Sequence, residues 1–272
     1  MRNAIITYAE GNDFVQTLDS EIFLHNLKKH KNFDKIVFTR GLTDENLHML
    51  SVYFDKVIVC SNPIHNNARD RFMAYYNWMV EHFDKYEYVM HLDFRDIVIQ
   101  KDPFEFMQSH SDKDVFVCSE GMKIKDNKWN TMDTAYYHTH LQFHKDDFSD
   151  YYVINGGTIG GKIFPLSQLF LLLWTNSNRL SRSNTDQATL NYLYPYFKMN
   201  PKIMVCHPYE DTFCATGEGI KYGNVLVKYD GTEVCNQSDE KYSIFHQWDR
   251  TEIAEKIREK QARTLCFSIS TL

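Results

Sequence analysis

The first hundred residues alternate between short continuous apolar runs and longer stretches whose apolar positions recur every three or four residues. Ala4-Ile5-Ile6-Thr7 reads as a buried strand, and Phe14, Leu18, Ile22 and Leu27 then fall on one helical face. Ile36-Val37-Phe38 is the next strand. Residues 42–54 read as a helix with Thr43 as its N-cap, and Leu47, Leu50 and Phe54 are its apolar positions. Val57-Ile58-Val59-Cys60 is a third strand, residues 66–83 a longer helix, and Tyr86 to Leu92 a fourth strand. Continuous apolar strands alternating with helices predict a mainly parallel sheet with helices on both faces. In such sheets ligands sit beyond the carboxyl ends of the strands, so the loops after residues 7, 39, 60 and 92 are expected to converge on a site.

Beyond residue 100 the period changes. Asp114 to Cys118 and Tyr151 to Ile154 read as strands, and Phe164 to Trp174 and Thr185 to Tyr196 as helices. Residues 203–246 offer only short strand-like runs, with Gly217, Gly219, Gly223 and Gly231 as turn signals. Asp249 at an N-cap, with Glu252 three residues on, predicts a last helix over 249–262. No repeat, low-complexity tract or linker divides the 272 residues, so the expectation is one α/β domain over 1–272.

The net charge of −6 opposes a general affinity for DNA or RNA, while leaving room for a local basic pocket. The most apolar run, Leu169 to Trp174, is far short of a bilayer span, which leaves peripheral membrane contact open. The start of the chain reads as a strand and not as a secretory leader. The six cysteines match neither a zinc site nor a disulfide framework, so a cytoplasmic location is expected. Aromatic residues make up 15% of the chain, enough both for a large core and for platforms under flat ligands.

Several segments carry candidate chemistry. His91-Leu92-Asp93-Phe94-Arg95-Asp96 ends an apolar strand, and a turn there can present Asp93 and Asp96 to one side. Two convergent carboxylates repel unless a cation joins them, and their hard oxygens suit Mg²⁺ or Mn²⁺. The alternative is that Arg95 neutralises both in a surface turn. Asn155-Gly156-Gly157-Thr158-Ile159-Gly160-Gly161 reads as a glycine-rich turn or bulge that lets a ligand approach the backbone. It matches neither a P-loop nor a dinucleotide fingerprint. Asp186 and Gln187 fall in the first turn of a helix that Thr185 can cap, where an Asp also simply suits the helix dipole. His246 stands in an apolar strand, where a core role competes with a ligand role, and polar Gln247, Asp249 and Arg250 follow it. Arg69 and Arg71 lie on the helix after the third strand. Arg71 is a candidate for bidentate pairing with a phosphate.

The order of these segments resembles the GT-A glycosyltransferases, and in particular the family of glycogenin and the bacterial lipooligosaccharide galactosyltransferases. Leu92-Asp93-Phe94-Arg95-Asp96 with Asp102-Pro103-Phe104 is also similar to DxRD-type sugar transferases. The resemblance covers residues 2 to about 250. It departs at the acidic motif, usually D-x-D and here D-x-x-D, which leaves open which Asp directly holds a metal.

The resemblance implies a GT-A fold with a nucleotide-binding half over 1–100 and a sugar and acceptor half over 101–272. It implies a nucleotide diphospho-sugar donor, most often a uridine one, a glycan or glycoconjugate acceptor, and a divalent Mn²⁺ or Mg²⁺. Asp93, Asp96 and His246 would hold the metal, and Thr7, Tyr8, Arg71, Asp93, Asn155, Gly156 and Gly157 the donor. Asp186 and Gln187 would be catalytic, with a lean towards a retaining reaction. Trp129, Tyr136, Tyr137, His138 and His140 mark a candidate acceptor segment within 120–150. A sugar nucleotidyltransferase and a non-catalytic carbohydrate-binding protein are the rival readings. The first would need a Gly- and Arg/Lys-rich loop soon after the first strand, and Ala9-Glu10-Gly11-Asn12 is poor in both.

Overall fold

The computed structural model describes residues 1–60, 67–132, 148–177 and 185–260; the side chains of 67–69 and 185 are outside the described set. Seven strands form the main sheet: β1 (Arg2–Glu10), β2 (Asp34–Arg40), β3 (Lys56–Val59), β4 (Tyr86–Leu92), β6 (Val115–Lys123), β7 (Tyr152–Lys162) and β8 (Ile203–Cys206). Their order is β3-β2-β1-β4-β7-β6-β8. The first four are parallel neighbours, β7 runs antiparallel between β4 and β6, and β8 is parallel to β6. The expected mainly parallel α/β sheet is therefore present.

Apolar runs account for both faces of the sheet. On one, the helix Leu18–Lys29 brings Phe23 and Leu27, and Asp44–Ser51 brings Leu50, against Ile5, Val37 and Met90. On the other, Asn67–Val80 brings Phe72 and Tyr75, and Ile163–Ser177 brings Phe170 and Leu173, against Ile6, Val89 and Ile159. Thr43 caps its helix as expected, its side chain accepting from the Asn46 N–H.

Three local expectations are corrected. The apolar face from Phe14 to Leu27 belongs to two helices, Asn12–Val15 and Leu18–Lys29, because Thr17 caps the second through the Ser20 N–H. The glycine-rich segment is no turn: residues 155–161 lie within β7, buried between two partner strands, and the irregularity expected of a bulge shows as a shift in register with β6 between Ile154 and Ile159. Glycine serves there because neighbours press close. A Cβ on Gly160 would collide with Met107 Cε, and one on Gly161 with the Asp114 carbonyl. Asp249 does not cap the last helix. It sits in the 3₁₀ turn Trp248–Arg250, the helix begins at residue 254, and Thr251 Oγ1 accepts from the Ile253 N–H instead.

A second, three-stranded sheet was not visible in the periodicity. Strand β12 (Ile244–His246) runs antiparallel to β5 (Ile97–Ile99) and parallel to β9 (Cys214–Thr216). Its register opposes His246 to Ile97, the residue after Asp96, and so closes the long sequence gap between the acidic motif and the late histidine. No helix among the described residues is long and apolar enough to cross a membrane.

Candidate functional site

Strand β4 ends at Leu92, paired with Thr158 of β7, and the Asp93 N–H then donates to the Gly157 carbonyl at 2.8 Å. That bond anchors the start of the acidic turn to the glycine strand. Asp93 and Asp96 flank Arg95, whose φ of 100° is a left-handed conformation costing roughly 1–3 kcal/mol in a side chain of this size. The turn does not point Arg95 at the two acids. Its guanidinium lies over the Phe14 ring, with Nη2 3.4 Å from Asp249. The acids meet His246 instead: Nε2 is 3.7 Å from Asp93 Oδ2 and 3.6 Å from Asp96 Oδ1.

This trio fits a divalent cation. Ligand atoms from all three lie within 4.8 Å of one another. Bonds of roughly 2.0–2.2 Å put neighbouring ligand atoms about 3 Å apart and opposite ones about 4 Å, which brackets the 3.7 and 3.6 Å from His246 Nε2 to the two carboxylates. His246 Nδ1 is 3.1 Å from Thr158 Oγ1, while Nε2, fully buried, has no hydrogen-bond partner among the described residues. A Cβ on Gly157 would strike both Asp93 Oδ2 and His246 Cε1, so the absence of a side chain there keeps the space between them open. Two hard carboxylate oxygens and one imidazole suit Mn²⁺ or Mg²⁺ better than a thiolate-seeking ion.

Charge in the site is balanced by one guanidinium. Arg71 Nη1 is 2.6 Å from Asp93 Oδ1 and Nη2 is 2.8 Å from Asp186 Oδ2. Burial alone would raise the pKa of Asp93; Arg71, the nearby His91 ring with Nε2 at 3.6 Å, and the charge of His246 hold it well below the carboxylate range. Asp186 goes the other way, because burial outweighs its pairing with Arg71 and raises its pKa. His91, enclosed by Phe72, Tyr75 and Phe170, is lowered to about 4 by burial and by Arg71, and so is neutral. For His246 burial also opposes the charge, but Asp96 and then Asp93 outweigh it and raise the pKa to about 9.

These groups border a cleft of about 810 Å³, within the roughly 300–1,000 Å³ usual for small-molecule sites. Arg71, Asp93, Asn155, Gly156, Gly157, Asp186 and Gln187 line it. Asp96 and His246 are buried and do not reach the cleft wall; Asp93 is the member of the trio that does. Thr7 and Tyr8 are not brought to the cleft. They are buried in mid-strand, with Thr7 Oγ1 and the Tyr8 hydroxyl lacking hydrogen-bond partners among the described residues and burial pushing the Tyr8 pKa up. The loop after the third strand, the side chain of Arg69, and Tyr136, Tyr137, His138 and His140 lie outside the described residues. Trp129 lines the cleft and is 43% exposed.

The structure adds residues that sequence reasoning missed. Glu120 lines the cleft yet is 1% exposed, its pKa raised by burial. Its only signal was an acid two residues past the apolar run that ends at Cys118, a weaker form of the pattern that drew attention to Asp93. Glu218 and Arg250 pair at 2.8 Å on the cleft wall near Gln247. Gln247 itself is left-handed, at φ 57°; its N–H donates to the Asp96 carbonyl and its Oε1 accepts from the Glu218 N–H. Asn130 carried no sequence signal.

No family model matches the chain, and no curated protein matches it. Among solved structures the chain is similar to an active-site mutant of LgtC, a lipooligosaccharide galactosyltransferase. The two share 11% identity and a TM-score of 0.59, over 96% of this chain and 95% of that one. It is also similar, at 13% identity and a TM-score of 0.47, to a glycosyltransferase involved in glycosylation of the major capsid of PBCV-1, over 96% of this chain and 100% of that one. The likeness to LgtC shows the fold: this chain has the GT-A glycosyltransferase fold.

Proposed function

We propose that this protein is a metal-dependent glycosyltransferase that moves a sugar from a nucleotide diphosphate donor, uridine being the base the resemblance favours, to a glycan or other acceptor. The observation that carries the reading is the Asp93–Asp96–His246 trio, with an unpartnered imidazole nitrogen and a glycine-made gap, beside a cleft that also holds Asp186 and Gln187.

In this reading Asp93, Asp96 and His246 would hold Mn²⁺ or Mg²⁺, which when bound would supply Lewis-acid stabilisation to a diphosphate leaving group. Arg71 does not grip phosphate directly, since its fork is taken up by Asp93 and Asp186; it holds the metal side and the sugar side of the cleft in one register. Asn155, Gly156 and Gly157 form the donor-sugar wall. Asp186 and Gln187 face the reacting carbon, an arrangement that favours a retaining outcome. Trp129 and Tyr222, both exposed at the cleft, offer flat faces to an acceptor sugar.

Calorimetry with UDP, with and without Mn²⁺, tests this directly. Binding that requires the metal and disappears in Asp96→Ala is the expected result. Equal UDP binding with and without Mn²⁺, or none in either case, would overturn the reading.

A further inference from the structure

The cleft contains a set of side-chain amides whose direction can be read from the backbone. In β7 the Ile154 N–H donates to Asn191 Oδ1 at 2.7 Å. A backbone N–H can only donate, so Asn191 must turn its oxygen towards it. Asn191 Nδ2 then donates to Asn130 at 3.0 Å, which makes the receiving atom the Asn130 carbonyl oxygen. That same oxygen takes a hydrogen bond from Gln187 Nε2 at 3.2 Å. A second line starts at Gly157, whose N–H donates to Asn155 Oδ1 at 2.8 Å. Asn155 therefore presents its NH₂ to Glu120 Oε1, at 2.9 Å, and Gln187 Nε2 donates to that oxygen too, at 3.3 Å. Glu120, Asn130, Asn155 and Asn191 are all 2% exposed or less, so water does not replace these partners.

Both protons of the Gln187 amide are thus committed. Its Oε1 accepts from none of the described residues and stays open to the cleft that Gln187 lines. Flipping the amide would set this oxygen against the Glu120 and Asn130 oxygens, three acceptors together, at the loss of two hydrogen bonds. We infer that Glu120 and Asn130 are positioning residues that lock the Gln187 amide with its carbonyl oxygen towards the cleft. The ligand atom opposite Gln187 is then a hydroxyl donor or an electron-poor carbon, and not a phosphate or carboxylate oxygen. The identity of that ligand rests on the glycosyl-transfer reading; the direction of the amide does not.

The test is nuclear magnetic resonance on the full chain labelled with ¹⁵N-glutamine, the Gln187 side-chain signal being assigned by its loss in Gln187→Leu. In the wild type both Gln187 NH₂ protons should exchange with water at least about tenfold more slowly than those of an exposed glutamine, as expected of protons engaged in buried hydrogen bonds. Glu120→Ala should release one of them and Asn130→Ala the other. Glu120→Gln, which can still offer one oxygen to both amides, should keep the protection that Glu120→Ala loses. Fast exchange of both protons in the wild type would overturn the inference, and needs no variant to fold. So would protection that neither alanine variant changes. The same sample titrated with UDP and Mn²⁺ keeps the two readings apart: absence of binding alongside protected protons overturns the glycosyl-transfer reading and upholds the amide lock.

Discussion

Arg71 Nη2 lies 2.8 Å from Asp186 Oδ2, and the same guanidinium reaches Asp93 at 2.6 Å through Nη1. Arg71 and Asp186, 115 apart in sequence, meet there through one planar cation. Removing it takes the shared guanidinium from two inward carboxylates, leaving Asp93 with the His91 and His246 rings at 3.6 and 3.7 Å and Asp186 with the Gln187 N–H. Arg71→Ala should therefore cost about 3 kcal/mol in denaturant unfolding, the low end for a broken buried pair, because the Asp93 side chain keeps 32% exposure. Adding Asp186→Asn to that variant should recover part of the loss. An Arg71→Ala protein as stable as wild type would refute the bridge.

Gly157 and Gly156 adjoin in β7 but face different neighbours. A Cβ on Gly157 collides with Asp93 and His246, whereas one on Gly156 meets Asp186 Oδ2 at 3.3 Å, tight but not impossible. Gly157→Ala should weaken Mn²⁺ binding by at least about tenfold, the scale on which metal sites respond to displaced ligands. Gly156→Ala should affect it much less. Electron paramagnetic resonance of free Mn²⁺ reads both, and equal affinities in the two variants would count against the trio as the metal site.

The proton on His246 competes with the metal. Its folded pKa of about 9 lies above the ordinary 6.5. The stabilisation from the imidazolium between Asp93 and Asp96 is therefore fully present below pH 6.5 and lost as pH rises through about 9. Melts of the metal-free protein from pH 6.5 to 9.5 should show this fall, and His246→Gln should flatten it. Mn²⁺ affinity should move oppositely, tightening by up to about tenfold per pH unit until the proton is gone. An affinity constant over that window would exclude His246 as a ligand.

Asp186→Asn keeps the size of the side chain and an oxygen for the Gln187 N–H, which Asp186 Oδ1 accepts at 2.8 Å. It removes the charge facing Arg71. Turnover of the nucleotide sugar should fall by orders of magnitude while the affinity for UDP with Mn²⁺ changes little, the sign of an interaction made mainly in the transition state. Unchanged turnover would leave Asp186 a residue of the helix start and nothing more.

Local pattern sufficed for a good part of this molecule. Apolar runs of strand length alternating with helical spacing predicted β1 to β4, because burial on both faces of a parallel sheet demands continuous apolar residues whatever the rest of the chain does. The placement of Asp93 at a strand end followed from the same pattern, and Thr43 from the orphan N–H groups that every helix start must satisfy. Other features depended on partners far along the chain. The glycines of β7 looked like a turn because a single sequence does not show that β4, β6, Met107 and Asp114 press on them from outside. His246 joined Asp93 and Asp96 only through the pairing of β12 with β5, a three-residue ladder too short to leave a periodic trace. Glu120 and Asn130 acquired their roles from hydrogen bonds to Asn155, Gln187 and Asn191, whose directions originate in backbone N–H groups of β7. Burial preference is a property of each residue and can be read in order along the chain. Convergence of charges and hydrogen bonds is a property of pairs, and tertiary folding alone selects the pairs.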